Sequence, residues 1–181
     1  ITLAQLGDAV AGCGRSSADI IIIGAMAGII IGILDRTGLG QALTLILAAV
    51  GEDSLFLLLI LTAFVSILLG MGMPTSAIYL LLATMIAPSL VKLGVHPIAA
   101  HMFVLYFGLM SMITPPVAIA AFAAASLAGS KPMETGFTAV RLGWIAYVIP
   151  FVFVLSPALL GQGTAWEIGS ATVTAFIGVW I

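Results

Sequence analysis

The sequence predicts an all-α polytopic membrane protein, and this prediction rests on its composition and on the spacing of its apolar runs. Of the 181 residues, 62% are hydrophobic and 7% are charged, and the mean hydropathy is +1.32. Soluble domains carry about 25% charged residues, so this chain has too few charges to cover a surface in water. No Asp, Glu, Lys or Arg occurs in residues 54–91 or 93–130, which indicates long segments inside a bilayer.

The first apolar runs predict one span and one short helix. Residues 18–34 nearly reach the roughly 20 residues that a helix needs to cross a bilayer core of about 30 Å. Residues 35–40 interrupt this run, and residues 41–50 continue as a short apolar helix. Residues 51–53 predict a polar turn, whose last residue or Ser54 is expected to cap the next helix.

The middle of the chain predicts four short apolar helices arranged in two pairs. Residues 55–69 and 78–91 form the first pair, and residues 98–110 and 118–128 form the second. Residues 92–97 are the predicted loop between the pairs. Each helix is short for a span, so each pair fits either one interrupted crossing or a re-entrant hairpin.

The last part of the chain predicts a polar loop followed by a bent span. Residues 129–136 contain Lys, Glu, Ser and Thr and are read as the loop. Residues 137–160 are the predicted span, bent by Pro150 and Pro157. A further span is expected to begin near Ile168.

Two stretches combine glycine, proline and hydroxyl residues inside these apolar runs. The first break, "GMGMPTSA", covers residues 70–77, and the second break, "SMITPPVA", covers residues 111–118. Proline has no N–H and pushes the residue before it out of helical geometry, so a regular helix should stop at both places. The carbonyls expected to lose their helical donor are those of Gly70, Ser111 and Met112, which lie four residues before Pro74, Pro115 and Pro116.

Unpaired carbonyls at such breaks predict a bound polar ligand, because each costs several kcal/mol in hydrocarbon. Dehydrated Na⁺ is one candidate, since carbonyl and hydroxyl oxygens can replace its water shell. A half-helix that begins after a break presents a positive end, which suits a carboxylate. A simple kink with no transport role stays open as the alternative. The expected Na⁺ ligands are Gly70, Gly72, Pro74, Thr75, Ser111, Met112, Thr114 and Pro115, and the expected substrate contacts are Thr75, Ser76, Pro116 and Val117.

Three segments, "GMGMPTSA", "HPIAAHMFVLYF" and "ITPPVAIAAFAAA", carry a resemblance to a known family. The chain resembles the large permease subunit of tripartite ATP-independent periplasmic (TRAP) transporters. The residues of these segments are most similar to those of the fused permeases in the branch called TAXI. The resemblance covers roughly residues 18–160 and points to the C-terminal half of that permease.

The resemblance implies a fold, a function and a set of partners. The fold is the elevator fold of the ion-transporter superfamily, and the chain would form one of its two inverted repeats. Residues 70–76 would be the tip of a re-entrant hairpin, and residues 111–117 would be the break of an interrupted helix. The implied function is Na⁺-coupled import of an organic anion, a carboxylate, across the bacterial inner membrane. The implied partners are a periplasmic solute-binding protein, a small membrane subunit or its fused equivalent, and the other half of the permease.

This reading divides the chain into three parts. Residues 1–17 are expected to be a truncated N-terminal connection, and residues 18–160 the transmembrane permease half. Residues 161–181 are expected to be a loop and the start of a truncated further span. The chain begins with Ile1 and its last apolar run stops at Ile181, which is why we expect part of a longer permease.

Other function classes and other candidate residues are weaker. A channel-like pore and a non-transporting membrane anchor are the alternatives to a transporter. The sequence shows no paired carboxylates, metal cluster, P-loop or nucleophile with a base, so we expect no enzyme and no cofactor other than the coupling ion. A net charge of −2 without a basic patch gives no sign of nucleic-acid binding.

His96 and His101 are expected to pack or cap, with gating or substrate contact as the alternative. Interface anchoring or helix packing is expected of Trp144, Tyr147, Trp166 and Trp180.

Overall fold

The computed structural model describes residues 3–180 and most of their side chains, and every regular element in that range is helical. One long helix comes first and a series of shorter ones follows. The α-helices are α1 (Leu3–Thr37), α2 (Leu39–Asp53), α3 (Leu55–Gly70), α4 (Thr75–Met85), α5 (Ala87–Lys92), α6 (Pro97–Met110), α7 (Ile119–Ala128), α8 (Pro132–Leu142), α9 (Ile145–Leu155) and α10 (Ala165–Trp180), with a 3₁₀ turn at Pro157–Leu160.

Helix α6 lies at the centre of the packed region. It packs against α3, α4, α5 and α9. Phe103 and Val104 on α6 are fully buried, and the Phe103 ring lies 4.8 Å from the Phe107 ring. Phe151 of α9 contacts both rings edge-on, at centroid distances of 5.3 and 5.6 Å. This aromatic cluster fixes α9 beside α6, and the second break follows the end of α6.

The boundary between α2 and α3 confirms one prediction and corrects another. Ser54 caps α3, because its backbone is extended (φ −161°) and its Oγ accepts a 3.3 Å hydrogen bond from the Leu57 N–H. The polar turn predicted at residues 51–53 is wrong, since α2 continues through Asp53. One extended residue is enough to separate the two helices, so the polar residues before it stay helical.

The helix predicted at residues 78–91 is two helices in the structure. Helix α4 starts three residues earlier, at Thr75, and α5 begins at Ala87. Pro88 stands in the first turn of α5, and its missing N–H cannot continue the hydrogen bonds of α4. The proline therefore divides this arm, although the two helices together are long and apolar enough to span a membrane.

The polar loop and the bent span predicted after α7 also change. Helix α8 starts at Pro132, inside the predicted loop, because the fixed φ of proline suits a first helical position. The span is divided at Gly143 rather than at Pro150, which lies inside α9. A Cβ at residue 143 would lie 3.1 Å from the Ala139 carbonyl oxygen, so the tight end of α8 favours glycine.

Two helical stretches of the described chain have the length and composition of a membrane span. They are Thr75–Lys92 and Pro132–Leu155. Large apolar side chains also point outward over much of the surface, including Phe64, Leu127 and Phe176. Such a surface is typical of a protein that faces lipid or another protein.

Candidate ion and substrate site at the two helix breaks

The first break has the irregular backbone that the sequence predicts. Helix α3 ends at Gly70, the next residue is extended (φ −64°, ψ 125°), and Gly72 has a φ of +81° that favours glycine. Pro74 then precedes α4 with extended geometry. The Gly70 carbonyl accepts a long contact of 3.5 Å from the Met73 N–H, so it is weakly paired.

The second break is longer and is folded back on itself. Helix α6 ends at Met110 and α7 begins at Ile119, which confirms that no regular helix runs through this stretch. The Met110 carbonyl accepts three hydrogen bonds, from the Ile113 N–H at 3.1 Å, the Thr114 N–H at 3.0 Å and the Thr114 hydroxyl at 2.5 Å. This carbonyl anchors the turn that follows α6.

Two carbonyls of the second break were predicted to lack a hydrogen-bond donor, and one of them has a donor in the structure. The Met112 carbonyl accepts a 3.0 Å hydrogen bond from the Ala120 N–H, so the prediction that it lacks a donor is wrong. The chain turns back far enough for the first turn of α7 to reach it. The Ser111 carbonyl, as predicted, has no hydrogen-bond donor among the residues that the structure describes.

Gly70 brings the two breaks into direct contact. A Cβ on Gly70 would lie 2.8 Å from both the Gly108 carbonyl oxygen and the Ser111 Oγ. Real Cβ atoms do not approach a backbone oxygen so closely, so only glycine fits here. The weakly paired carbonyl at the end of α3 and the unpaired Ser111 carbonyl therefore belong to neighbouring residues.

A second glycine brings α4 against α6. A Cβ on Gly108 would lie 2.5 Å from Ile78 Cγ2 and 2.8 Å from Leu82 Cδ1. Both of these side chains are buried on α4. The half-helices of the two breaks are thus packed together through Gly108, which the sequence analysis did not single out.

Both hydroxyls at the second break donate their protons to backbone carbonyls. Ser111 is 2% exposed, and its Oγ donates to the Gly108 carbonyl at 2.6 Å. Thr114 Oγ1 donates to the Met110 carbonyl. A hydroxyl has one proton and two lone pairs, so each oxygen can only accept from, or coordinate, any further group. This arrangement suits a cation and disfavours an anion.

The remaining predicted residues have different surroundings. Pro115 and Val117 are half-buried, and Pro116 is exposed. Gly72, Pro74, Thr75 and Ser76 are exposed, and neither hydroxyl of the α4 start makes a side-chain hydrogen bond in the described structure. That Thr75 shares one Na⁺ site with Ser111, as the expected set of ligands implies, stays a prediction.

Three residues contact the second break or its helices in ways that sequence reasoning missed, although Tyr147 was expected to anchor at an interface or to pack. Gly108 packs on α4, Gly136 of α8 lies against Pro115, and Tyr147 of α9 places its hydroxyl 2.8 Å from Thr114 Oγ1. The absence of a Cβ on Gly136 favours this close contact, since a Cβ there would lie 3.0 Å from Pro115 Cγ. A tyrosine in an apolar run predicts a hydroxyl that needs a hydrogen-bond partner, but the sequence does not show which residue that partner is.

The two histidines lie away from the Ser111 contact. His96 stands just before α6, but its side chain makes no capping hydrogen bond, so of the two expected roles capping is wrong for His96. His101 packs edge-on against Tyr79 of α4, with 3.1 Å between Nδ1 and the tyrosine hydroxyl. The packing role expected for His101 is confirmed, and the pair adds another link between α4 and α6.

Comparison with known proteins gives the family. The family model described as "Tripartite ATP-independent periplasmic transporter, DctM component" matches residues 1–168. The chain belongs to this family. The resemblance to a TRAP permease is therefore confirmed, whereas the TAXI branch and the C-terminal half stay predictions. No curated protein and no solved structure matches the chain.

Proposed function

We propose that this TRAP permease chain takes part in Na⁺-coupled import of an organic anion. Membership of the family makes the chain a membrane component of a transporter. Transporters of this family work in general with a periplasmic binding protein and a small membrane subunit, and we propose that both serve this chain in the bacterial inner membrane. We also propose that the permease transports by an elevator movement. This chain would form one of its two inverted repeats.

The observation that carries the Na⁺ proposal is the set of accepting oxygens at the two breaks. The Ser111 carbonyl has no donor among the described residues, and the Gly70 carbonyl has one long contact. The Ser111 and Thr114 hydroxyls have donated their protons and offer only lone pairs. Four oxygens that can accept but not donate suit a small cation without any carboxylate. Neither break contains an acidic residue, which disfavours a carboxylate proton relay.

The start of α4 supports the anion part of the proposal. Pro74, Thr75 and Ser76 are exposed, and the first main-chain hydrogen bond of this helix is the 3.0 Å bond from the Ile78 N–H to the Pro74 carbonyl. The N–H groups before it point out of the helix end, where the helix dipole favours negative charge. A carboxylate at this end would lie about five residues along the chain from Gly70, whose carbonyl is one of the proposed cation oxygens.

Uptake into proteoliposomes tests the proposed function. The permease is reconstituted with its binding protein, and uptake of a panel of ¹⁴C-labelled mono- and dicarboxylates is measured under an inward Na⁺ gradient. We expect accumulation of at least one carboxylate above its outside concentration, lost when choline replaces Na⁺. Uptake that only equilibrates would favour a channel, and absence of uptake for the whole panel would favour an anchor. Accumulation driven by a proton gradient alone would overturn the Na⁺ assignment.

A further inference from the structure

Tyr147 joins α9 to the second break through a single hydroxyl contact. It lies in the first turn of α9 and is half-buried, with its ring 6.4 Å from the Phe107 ring of α6. Its hydroxyl oxygen is 2.8 Å from Thr114 Oγ1. The contact links residues 33 positions apart in the chain, so it depends on how α9 packs and not on local sequence.

The direction of this hydrogen bond follows from the other partner of Thr114. A carbonyl oxygen can only accept, and the Met110 carbonyl lies 2.5 Å from Thr114 Oγ1. The single proton of Thr114 is therefore directed to Met110. Tyr147 must then be the donor in the contact with Thr114. One lone pair of Thr114 Oγ1 accepts the tyrosine proton, and the other remains for a ligand.

We propose that Tyr147 is a positioning residue for the ion site of the second break, an inference that rests on the proposed Na⁺ coupling. Its O–H occupies one lone pair of Thr114 Oγ1 and so fixes which lone pair remains for a ligand. Hydrogen bonds in a chain polarise one another, so donation to Met110 makes the Thr114 oxygen a stronger acceptor. Loss of the tyrosine hydroxyl would leave one lone pair of Thr114 without its donor, and only the bond to the Met110 carbonyl would then hold the side chain.

Tyr106 provides a matched control at the same helix interface. It lies on α6 and packs edge-on against Phe153 of α9, with ring centroids 5.7 Å apart. Its hydroxyl makes no hydrogen bond within the part of the chain that the structure describes. Tyr106→Phe and Tyr147→Phe thus remove the same atom from the same interface, and only the second removes a contact with the break.

Binding of ²²Na⁺ to the purified permease in detergent tests the inference without knowledge of the substrate. Affinity is measured by scintillation proximity, with choline chloride keeping the ionic strength constant. We expect Tyr147→Phe to weaken Na⁺ binding about five- to tenfold, as for loss of one hydrogen bond to a ligand oxygen. Tyr106→Phe should stay within about twofold of the parent. Thr114→Val should weaken binding at least as much as Tyr147→Phe, and Tyr147→Phe added to Thr114→Val should cause no further loss.

The outcomes separate this inference from the function on which it rests. If the parent permease binds no ²²Na⁺, the proposed coupling ion is wrong and the inference falls with it. If the parent binds ²²Na⁺ and Tyr147→Phe binds it equally well, only the role of Tyr147 is overturned. Equal losses in Tyr147→Phe and Tyr106→Phe would show a packing effect and would also overturn it. If Tyr147→Phe elutes as an aggregate, Thr114→Val tests the same contact, and unchanged binding in that variant overturns the inference.

Discussion

The first break leaves its polar groups at the surface of the described helices, whereas the second break keeps most of its own inside. Gly72, Thr75 and Ser76 are exposed, and the two hydroxyls make no side-chain hydrogen bond in the described structure. Ser111 and Ala118 are buried, and the hydroxyls of the second break are bonded to carbonyls. Both stretches interrupt a helix at proline, but the second has more hydrogen bonds and packing contacts with its neighbours.

This difference comes from what packs on each break. Gly136 of α8 lies against Pro115, and Tyr147 of α9 bonds to Thr114. Ala118 adopts a left-handed conformation (φ +33°), which a non-glycine residue takes up only when its surroundings stabilise it. The first break has fewer packing contacts, in which Gly70 lies against Gly108 and Ser111 and Met73 packs on the core. We infer that the second break is preorganised for an ion, while the first is free to adapt to a larger ligand.

The largest expected effect concerns the contact that joins the breaks. Gly70→Ala places a Cβ 2.8 Å from the Gly108 carbonyl oxygen, and a backbone atom cannot rotate away. We expect the variant to lose about 3 kcal/mol of stability, the upper end for an overpacked site. Gly32→Ala is the control, since a Cβ on this helical glycine meets nothing within 4 Å. It should be neutral or stabilising by up to about 1 kcal/mol.

The measurement for Gly70→Ala is the thermal unfolding midpoint of the purified permease in detergent. A midpoint for Gly70→Ala equal to that of Gly32→Ala would show that the two breaks are not in contact. The two breaks could then no longer be treated as parts of one site.

The next effect concerns the proline pair of the second break. Pro115→Ala with Pro116→Ala restores two N–H donors and allows a helix to continue past Met110. The Ser111 carbonyl would gain a donor, whereas the Met112 carbonyl already has one from Ala120. We therefore expect the half-saturating Na⁺ concentration for uptake to rise about tenfold, the loss of one ligand oxygen. An unchanged value in a normally reconstituted variant would assign the prolines to hinge motion or packing.

The positions of both breaks could be predicted from the sequence, because the effect of proline on a helix is local. Ser54 as a cap is local for the same reason. The hydrogen bond from Ala120 to Met112 could not be predicted, since it depends on how far the chain turns back before α7. Tyr147 and Gly136 belong to helices whose packing on the break is set by the whole bundle. The start of α8 was missed for a different reason, because the charges of Lys131 and Glu134, which form a 2.8 Å surface ion pair, suggested a loop.

The smallest expected effect compares one serine from each break. Ser111→Ala removes a buried hydroxyl that donates to Gly108 at 2.6 Å, and we expect a loss of about 1 kcal/mol in unfolding stability. Ser76→Ala removes an exposed hydroxyl without a side-chain hydrogen bond among the described residues, and the change should stay within about 0.5 kcal/mol. Both are measured as unfolding midpoints in the absence of substrate, beside the unsubstituted permease. If Ser76→Ala destabilises the permease as much as Ser111→Ala, another part of the assembled transporter covers the first break. The first break would then be as tightly held as the second, and the assignment of the adaptable ligand site to it would be wrong.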